Sequence, residues 1–116
     1  MMIAGHIDHI FSTEIETRRG TVALTSVWIV DRHDYLTPTK QPSTMYEVQF
    51  IDDKIHDWSR AISANFAAGD RVLAVVKDGL EAVTSLGNDG NPRTFIKARG
   101  QDLAAPIFDD ARAATD

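Results

Sequence analysis

The sequence predicts an all-β domain with one helix, in which five strands close a barrel and the helix lies between strands 3 and 4. Three observations lead to this class. Several short segments alternate apolar and polar residues, a single segment has helical spacing, and a turn rich in Gly, Asn and Asp separates two late strand-like segments. A helix between strands, followed by a long hairpin, is one way in which a small barrel covers an open end.

Three segments before the helix have the composition of strands. In residues 3–10, alternation places Ile3, Gly5 and Ile7 on one face, and residues 21–30 are rich in β-branched side chains. The polar turn 17–20 separates these two segments. Residues 45–51 resume the strand pattern after the proline-containing loop 32–43. We therefore predict three consecutive strands joined by one short turn and one long loop.

The helical segment carries apolar residues at every third or fourth position: Ile55, Trp58, Ile62 and Phe66. Such a stripe normally faces a core, so we expect Trp58 to be a core residue. Asp52 or Asp53 is suited to cap the start of this helix, and Gly69 is suited to end it.

Three further strands are predicted after the helix. Residues 72–76 form an apolar run typical of a buried strand, and the turn formers of residues 87–92 join residues 80–86 and 93–99 into a hairpin. We expect residues 1–104 to form the folded domain and residues 105–116 to form a short C-terminal tail.

Composition limits the classes of function. The chain has 116 residues, 43% of them apolar, which suits one domain with a modest core. It has no cysteine, which excludes disulfides and thiolate chemistry and is compatible with a cytoplasmic location. The N-terminal residues have the pattern of neither a signal peptide nor a membrane anchor. The formal net charge of −5 argues against an indiscriminate binder of polyanions, although cations gathered on one surface still bind nucleic acid.

The last predicted strand has the most functional pattern. Alternation places four residues on one face: Arg93, Phe95, Lys97 and Arg99. An aromatic ring between cations is what single-stranded nucleic acid requires, because the ring stacks on a base while the cations hold phosphates. A solvated outer face with one exposed ring explains the same pattern equally well.

Other candidate contacts depend on strand register. Trp28 points outward if the strand face with Thr25, Val27 and Ile29 lines the interior. It belongs to the core if the opposite face of the same strand lines the interior. Tyr46 and Phe50 are candidates for a stacking platform, although the simpler interpretation turns them inward. Basic residues in loops are candidate phosphate contacts, with surface solubility as the alternative: Arg18, Arg19 and Lys40.

No pattern in the sequence favours an enzyme, a metal or a cofactor. His6 and His9 are three residues apart on a predicted strand, which places them on opposite faces, whereas zinc needs convergent ligands. The pairs His33-Asp34 and His56-Asp57 resemble the paired His-Asp of metal phosphohydrolases, but one pair lies in a predicted loop, the other lies on the predicted helix, and no further ligands converge on them. A hydrolase that uses these pairs is the weaker rival interpretation.

A series of motifs along residues 3 to about 103 matches a known family in order and spacing. They are Ala4-Gly5-His6-Ile7, Val22-Ala23 through Val27, Tyr46-Glu47-Val48-Gln49-Phe50, Ala64-Asn65-Phe66-Ala67-Ala68-Gly69-Asp70-Arg71-Val72, Asp89-Gly90-Asn91-Pro92-Arg93 and Ile96-Lys97-Ala98. Through these motifs the chain resembles the bacterial and phage single-stranded DNA-binding proteins of the OB-fold type.

The resemblance implies a five-stranded OB barrel that forms homo-oligomers, as a dimer or tetramer. It implies coating of single-stranded DNA, without sequence preference, in replication, recombination or repair, with replication proteins as further partners and no membrane. The family's stacking aromatics are poorly matched here, and its acidic tail ending in Ile-Pro-Phe is absent. These departures keep an alternative open, an OB-fold protein-interaction subunit of a replication or conjugation complex with little affinity for DNA.

Overall fold

The computed structural model describes residues 1–32, 43–87, 90 and 92–105. Within this part the chain forms six strands and one helix: β1 (Met2–Thr17), β2 (Gly20–Arg32), β3 (Ser43–Ile51), α1 (Trp58–Asn65), β4 (Arg71–Val76), β5 (Glu81–Leu86) and β6 (Pro92–Ala104). None of the helical residues described here forms a segment long and apolar enough to cross a bilayer. The predicted tail lies outside the described residues beyond residue 105.

Five of the strands close a ring. β1, β2 and β3 pair antiparallel in sequence order, and β4 pairs antiparallel with both β1 and β6. The ring is completed by a parallel pairing of β3 with β6, in which residues 46–49 lie beside residues 96–99. β5 pairs with β6 alone and forms the predicted hairpin outside the ring. The prediction of a five-stranded OB barrel with the helix between β3 and β4 is confirmed.

The interior of the barrel is filled mainly by aliphatic residues from alternate positions of the strands. Val27 and Ile29 of β2 point into the interior, as do Val48 and Phe50 of β3, and all four are fully buried. β4, β6 and the helix add further members of the same cluster: Val72, Ala74, Val76, Ala98, Leu103 and Ile62. This arrangement settles the register of β2, because the face that carries Thr25, Val27 and Ile29 is the interior.

A β-bulge divides β1. Ile7 lies opposite Ile29, but the next paired residue is His9, which lies opposite Trp28, so Asp8 is the additional residue. The bulge reverses the alternation of inward and outward positions beyond it. Both His6 and His9 therefore lie on the outside of the barrel, and the prediction that they occupy opposite faces is wrong.

The helix begins later than predicted. It starts at Trp58 with Asp57 as its cap, whose carboxylate accepts a hydrogen bond from the backbone N–H of Arg60. Ile55 lies before the helix and is 85% exposed, so its predicted place in the apolar stripe is wrong. Ile62 is buried, and the Trp58 ring packs against Phe50 with 5.0 Å between ring centroids, which confirms Trp58 as a residue that packs on the core.

Side-chain hydrogen bonds explain the late start. Asp53 Oδ1 accepts the backbone N–H groups of Ile55 and His56 at 2.8 and 2.7 Å, and these bonds hold the pKa of this exposed carboxyl below its ordinary value. Asp52 accepts both the N–H and the hydroxyl of Ser59. Local bonds of this kind hold the backbone in a turn and compete with helix formation.

The end of the helix also differs from the prediction. The helix ends at Asn65, and Phe66 already has extended backbone. Gly69, with φ of 94°, lies farther along, in the turn that leads into β4. It therefore shapes the approach to β4 and does not end the helix.

Gly100 has no side chain, and the Phe50 ring occupies the space where one would lie. A Cβ at residue 100 would lie 2.4 Å from Phe50 Cε1, well inside van der Waals contact. We expect Gly100→Ala to lower the free energy of unfolding by about 1 to 3 kcal/mol, because the closed barrel gives the buried ring little room to shift. Urea denaturation measures the change, with Ser85→Ala on the exposed hairpin as the control. Equal midpoints for Gly100→Ala and the parent protein would contradict this packing.

Candidate nucleic-acid interface

The outer face of β6 carries the four residues predicted for it. Ala98 is buried and pairs with Val48 in the barrel wall, so the alternate residues of β6 point away from the interior. Arg93 and Arg99 are exposed, whereas Phe95 and Lys97 are half-buried. The outward set is Arg93, Phe95, Lys97 and Arg99.

Three aromatic side chains from three strands meet on this outer face. The rings of His9 and Trp28 are stacked, with centroids 5.3 Å apart and planes 17° apart. Trp28 also meets Phe95 edge to face, with centroids 4.9 Å apart and an interplanar angle of 64°. We call His9, Trp28 and Phe95 the aromatic row. Trp28 and Phe95 were both predicted as candidate contacts, and the structure brings them into direct contact across β3.

His9 extends the aromatic row outward. Its Nδ1 lies 2.7 Å from Asp8 Oδ2, which holds the ring in place, and its side chain is 54% exposed. Sequence reasoning missed His9 because strict alternation assigned His6 and His9 to opposite faces. Phe11, also outside the predicted set, lies opposite Ser26 on the same face and is 59% exposed. The sequence signal that could have revealed both residues is the three-residue spacing of Ile7 and Ile10, which breaks the two-residue period where the bulge lies.

A polar strip lies beside the aromatic row. Glu47 of β3 sits between Trp28 of β2 and Lys97 of β6 in the register of the sheet. Its Oε2 accepts hydrogen bonds from Ser26 Oγ at 2.9 Å and from Gln49 Nε2 at 3.5 Å. Gln49 lies in turn beside Arg99. The Trp28 ring, the Glu47 carboxylate, the Gln49 amide and the Arg99 guanidinium are therefore neighbours on this face of the sheet.

Two predicted contacts of β3 do not reach this surface. Phe50 is completely buried in the barrel, so no face of its ring is open to a base and its prediction as a DNA contact is wrong. Tyr46 lies opposite Ile29 on the interior side and packs against the core while half-buried. The inward orientation, which the sequence favoured for both residues, is the one observed.

The two arginines of the first turn lie apart from the aromatic row. Arg18 and Arg19 are exposed at the tip of the β1–β2 hairpin, where the N–H of Arg19 donates to Thr17 Oγ1. They line an open cleft of about 650 Å³ together with Lys54. At about 3.3 Å per residue, the turn is roughly 30 Å along β1 from His9. Lys40, the third predicted loop contact, lies outside the described residues.

Of the two His-Asp pairs, the described part of the chain contains only His56-Asp57. His56 stacks on Trp58, with centroids 5.0 Å apart, and its Nδ1 lies 3.3 Å from the Asp53 carboxylate, while Asp57 caps the helix. No group of three or more His, Asp or Glu side chains able to hold a metal occurs among residues 1–32, 43–87, 90 and 92–105. His33 and Asp34 lie outside that part of the chain.

Comparison with known proteins gives matches of structure only. No family model matches the sequence, and no curated protein matches it. Among solved structures, the small single-stranded DNA-binding protein from Streptomyces coelicolor is similar over 94% of this chain and 96% of its own, with 15% identity and a TM-score of 0.53. A Plasmodium falciparum SSB in complex with ssDNA matches over 89% of this chain and 90% of its own, with 18% identity and a TM-score of 0.46.

The structural similarity to the Streptomyces protein spans almost the whole of both chains, and at 15% identity it establishes the fold alone. The resemblance predicted from the sequence motifs is therefore confirmed for the architecture. This chain has the OB fold of the single-stranded DNA-binding proteins.

Proposed function

We propose that this protein binds single-stranded DNA without reading a defined sequence, through the outer face formed by β1, β2, β3 and β6. The observation that carries the proposal is the aromatic row with cations beside it. Bases stack on rings regardless of their identity, and guanidinium and ammonium groups hold the phosphates between them. Support also comes from the fold, which is that of a protein named for binding single-stranded DNA.

The negative net charge is compatible with this role because several of the acidic groups lie on other elements than β6. Asp52, Asp53 and Asp57, for example, lie at the start of the helix, where their carboxylates accept hydrogen bonds. On β6 the outward residues other than Phe95 carry positive charge at the positions described above. Cations that follow a strand at every second residue form a local track for a phosphate backbone, whatever the total charge.

The proposal includes a homo-oligomer. β1 pairs with β4 only through residues 2–6, so among the described strands residues 9–17 of β1 have a partner on one side alone. A long open strand edge is normally covered, and a second copy of the chain is a suitable cover. Sedimentation equilibrium is expected to give the mass of two or more chains. A single-chain mass at all concentrations would contradict this part of the proposal.

Exposed DNA strands arise in replication, recombination and repair, and we assign the protein to these processes in the cytoplasm, with no catalytic activity of its own. Crosslinking in cells tests the assignment, with crosslinks to DNA as the expected product. Crosslinks confined to other proteins would instead favour the alternative role as an interaction subunit of a replication or conjugation complex.

Phe95 tests the contribution of the rings. We expect Phe95→Ala to weaken binding of a fluorescent oligothymidine roughly five- to 150-fold, because a stacked ring contributes about 1 to 3 kcal/mol per base. Fluorescence anisotropy at low salt measures the affinity. Ile55→Ala, which removes another apolar side chain from the loop before the helix, is expected to have no effect. Equal losses in the two variants would contradict a specific role for the aromatic row.

Arg99 tests the contribution of the cations. Binding of single strands releases counterions, so the logarithm of the binding constant falls with the logarithm of salt concentration by about 0.7 per phosphate contact. We expect Arg99→Gln to reduce this slope by about 0.7. Arg60→Gln, on the exposed surface of the helix, is the matched control and should leave the slope unchanged. Unaltered slopes in both variants would remove Arg99 from the site.

A further inference from the structure

We propose that Glu47 biases this surface toward bases that carry an amino group, and toward cytosine over thymine in particular. The inference rests on the proposed function and adds a base preference to it. It concerns the composition of the bound strand at one base position and not recognition of a sequence. Three features of the structure carry it: the register of Glu47, the way its carboxylate is held, and the donor and acceptor chemistry of the bases.

The pairing of β3 with β2 and β6 places Glu47 beside the position that we propose for the edge of a bound base. Trp28 lies on one side of Glu47 in the sheet and Lys97 lies on the other. A nucleotide that rests its base against Trp28 and Phe95 and its phosphate on Lys97 or Arg99 spans β3. The polar edge of that base then lies over the strip formed by Glu47 and Gln49.

The carboxylate is oriented by its neighbours. Ser26, which is itself buried, donates its hydroxyl to Glu47 Oε2, and the Gln49 amide donates to the same oxygen. Both bonds end on Oε2, and no donor in the described part of the chain is placed on Oε1. Glu47 is half-buried, so its side chain keeps contact with solvent. A fixed carboxylate with an accessible oxygen is an acceptor ready for a donor from outside.

Base chemistry determines which donor fits. An ionised carboxylate only accepts hydrogen bonds. At position 4 of the pyrimidine ring cytosine carries an amino donor, whereas thymine carries a carbonyl oxygen that repels a carboxylate. Adenine also carries an exocyclic amino group, and so does guanine. A carboxylate repels the phosphates of any bound strand and so weakens binding in general. A base with an amino group offsets this repulsion by donating a hydrogen bond, whereas thymine does not.

The test compares oligodeoxycytidine with oligothymidine of equal length in the parent protein and in Glu47→Gln. Glutamine keeps the size of the side chain and an acceptor for Ser26, and its amide also donates to a carbonyl. We expect the ratio of affinities, cytidine over thymidine, to fall about tenfold in the variant. The ratio is the readout, because loss of a negative charge raises the affinity for both strands.

Glu81→Gln is the matched control. Glu81 lies on the far side of Lys97 in the same register, so its replacement changes the same charge near the same lysine without altering the strip on β3. It should leave the ratio unchanged. If both strands bind and the ratio is the same in the parent protein and Glu47→Gln, or falls equally in Glu81→Gln, the inference is overturned while the proposed function stands. If the parent protein binds neither strand, the proposed function fails and this inference fails with it.

Discussion

The parallel pairing of β3 with β6 is the constraint on which the rest of the structure depends. It joins residues 46–49 to residues 96–99 and converts an open sheet into a closed ring. On the inside it seals the core that Phe50 fills against Gly100. On the outside it brings the cations and the ring of β6 beside β3, within reach of Trp28 on β2. Without this pairing the candidate site would be divided between distant parts of the chain.

The β-bulge at Asp8 completes the site from the other side. In a regular strand the alternation set by Ile7 would turn His9 toward the interior of the barrel. The extra residue instead places His9 opposite Trp28, where the two rings stack, and Asp8 holds the imidazole at 2.7 Å. Bulges commonly re-aim a side chain near functional sites. Here a one-residue irregularity determines whether the aromatic row has two members or three.

Much of the architecture is predictable from the sequence because it depends on local periodicity. The alternation in β3 and β6, the β-branched composition of β2, the glycine-rich turn and the stripe around Ile62 each indicate a strand, hairpin or helix within a short window. The outward face of β6 follows from the same alternation, so Arg93, Phe95, Lys97 and Arg99 were grouped correctly on one face of the strand. Their contact with Trp28 depends on ring closure, which no local pattern encodes.

The errors have physical causes of their own. Asp is a residue type that commonly caps helices. The carboxylates of Asp52 and Asp53 instead accept hydrogen bonds from residues between 55 and 59, and the helix begins only at Trp58. Phe50 is an aromatic residue of the kind that stacks on bases. Its position opposite Thr25 nevertheless directs its ring toward the interior of the barrel. Residue type was informative in both cases, but local hydrogen bonds decided the first outcome and strand register decided the second.

The central claim is that Trp28 lies in the DNA-binding surface while Trp58 packs on the core. The chain has only these two tryptophans, so Trp58→Phe and Trp28→Phe each leave one fluorescent reporter. Titration of both variants with oligothymidine at low salt tests the claim most directly. Quenching is expected where Trp28 remains, with little change where only Trp58 remains. DNA binding that quenches Trp58 and leaves Trp28 unchanged would contradict the claim.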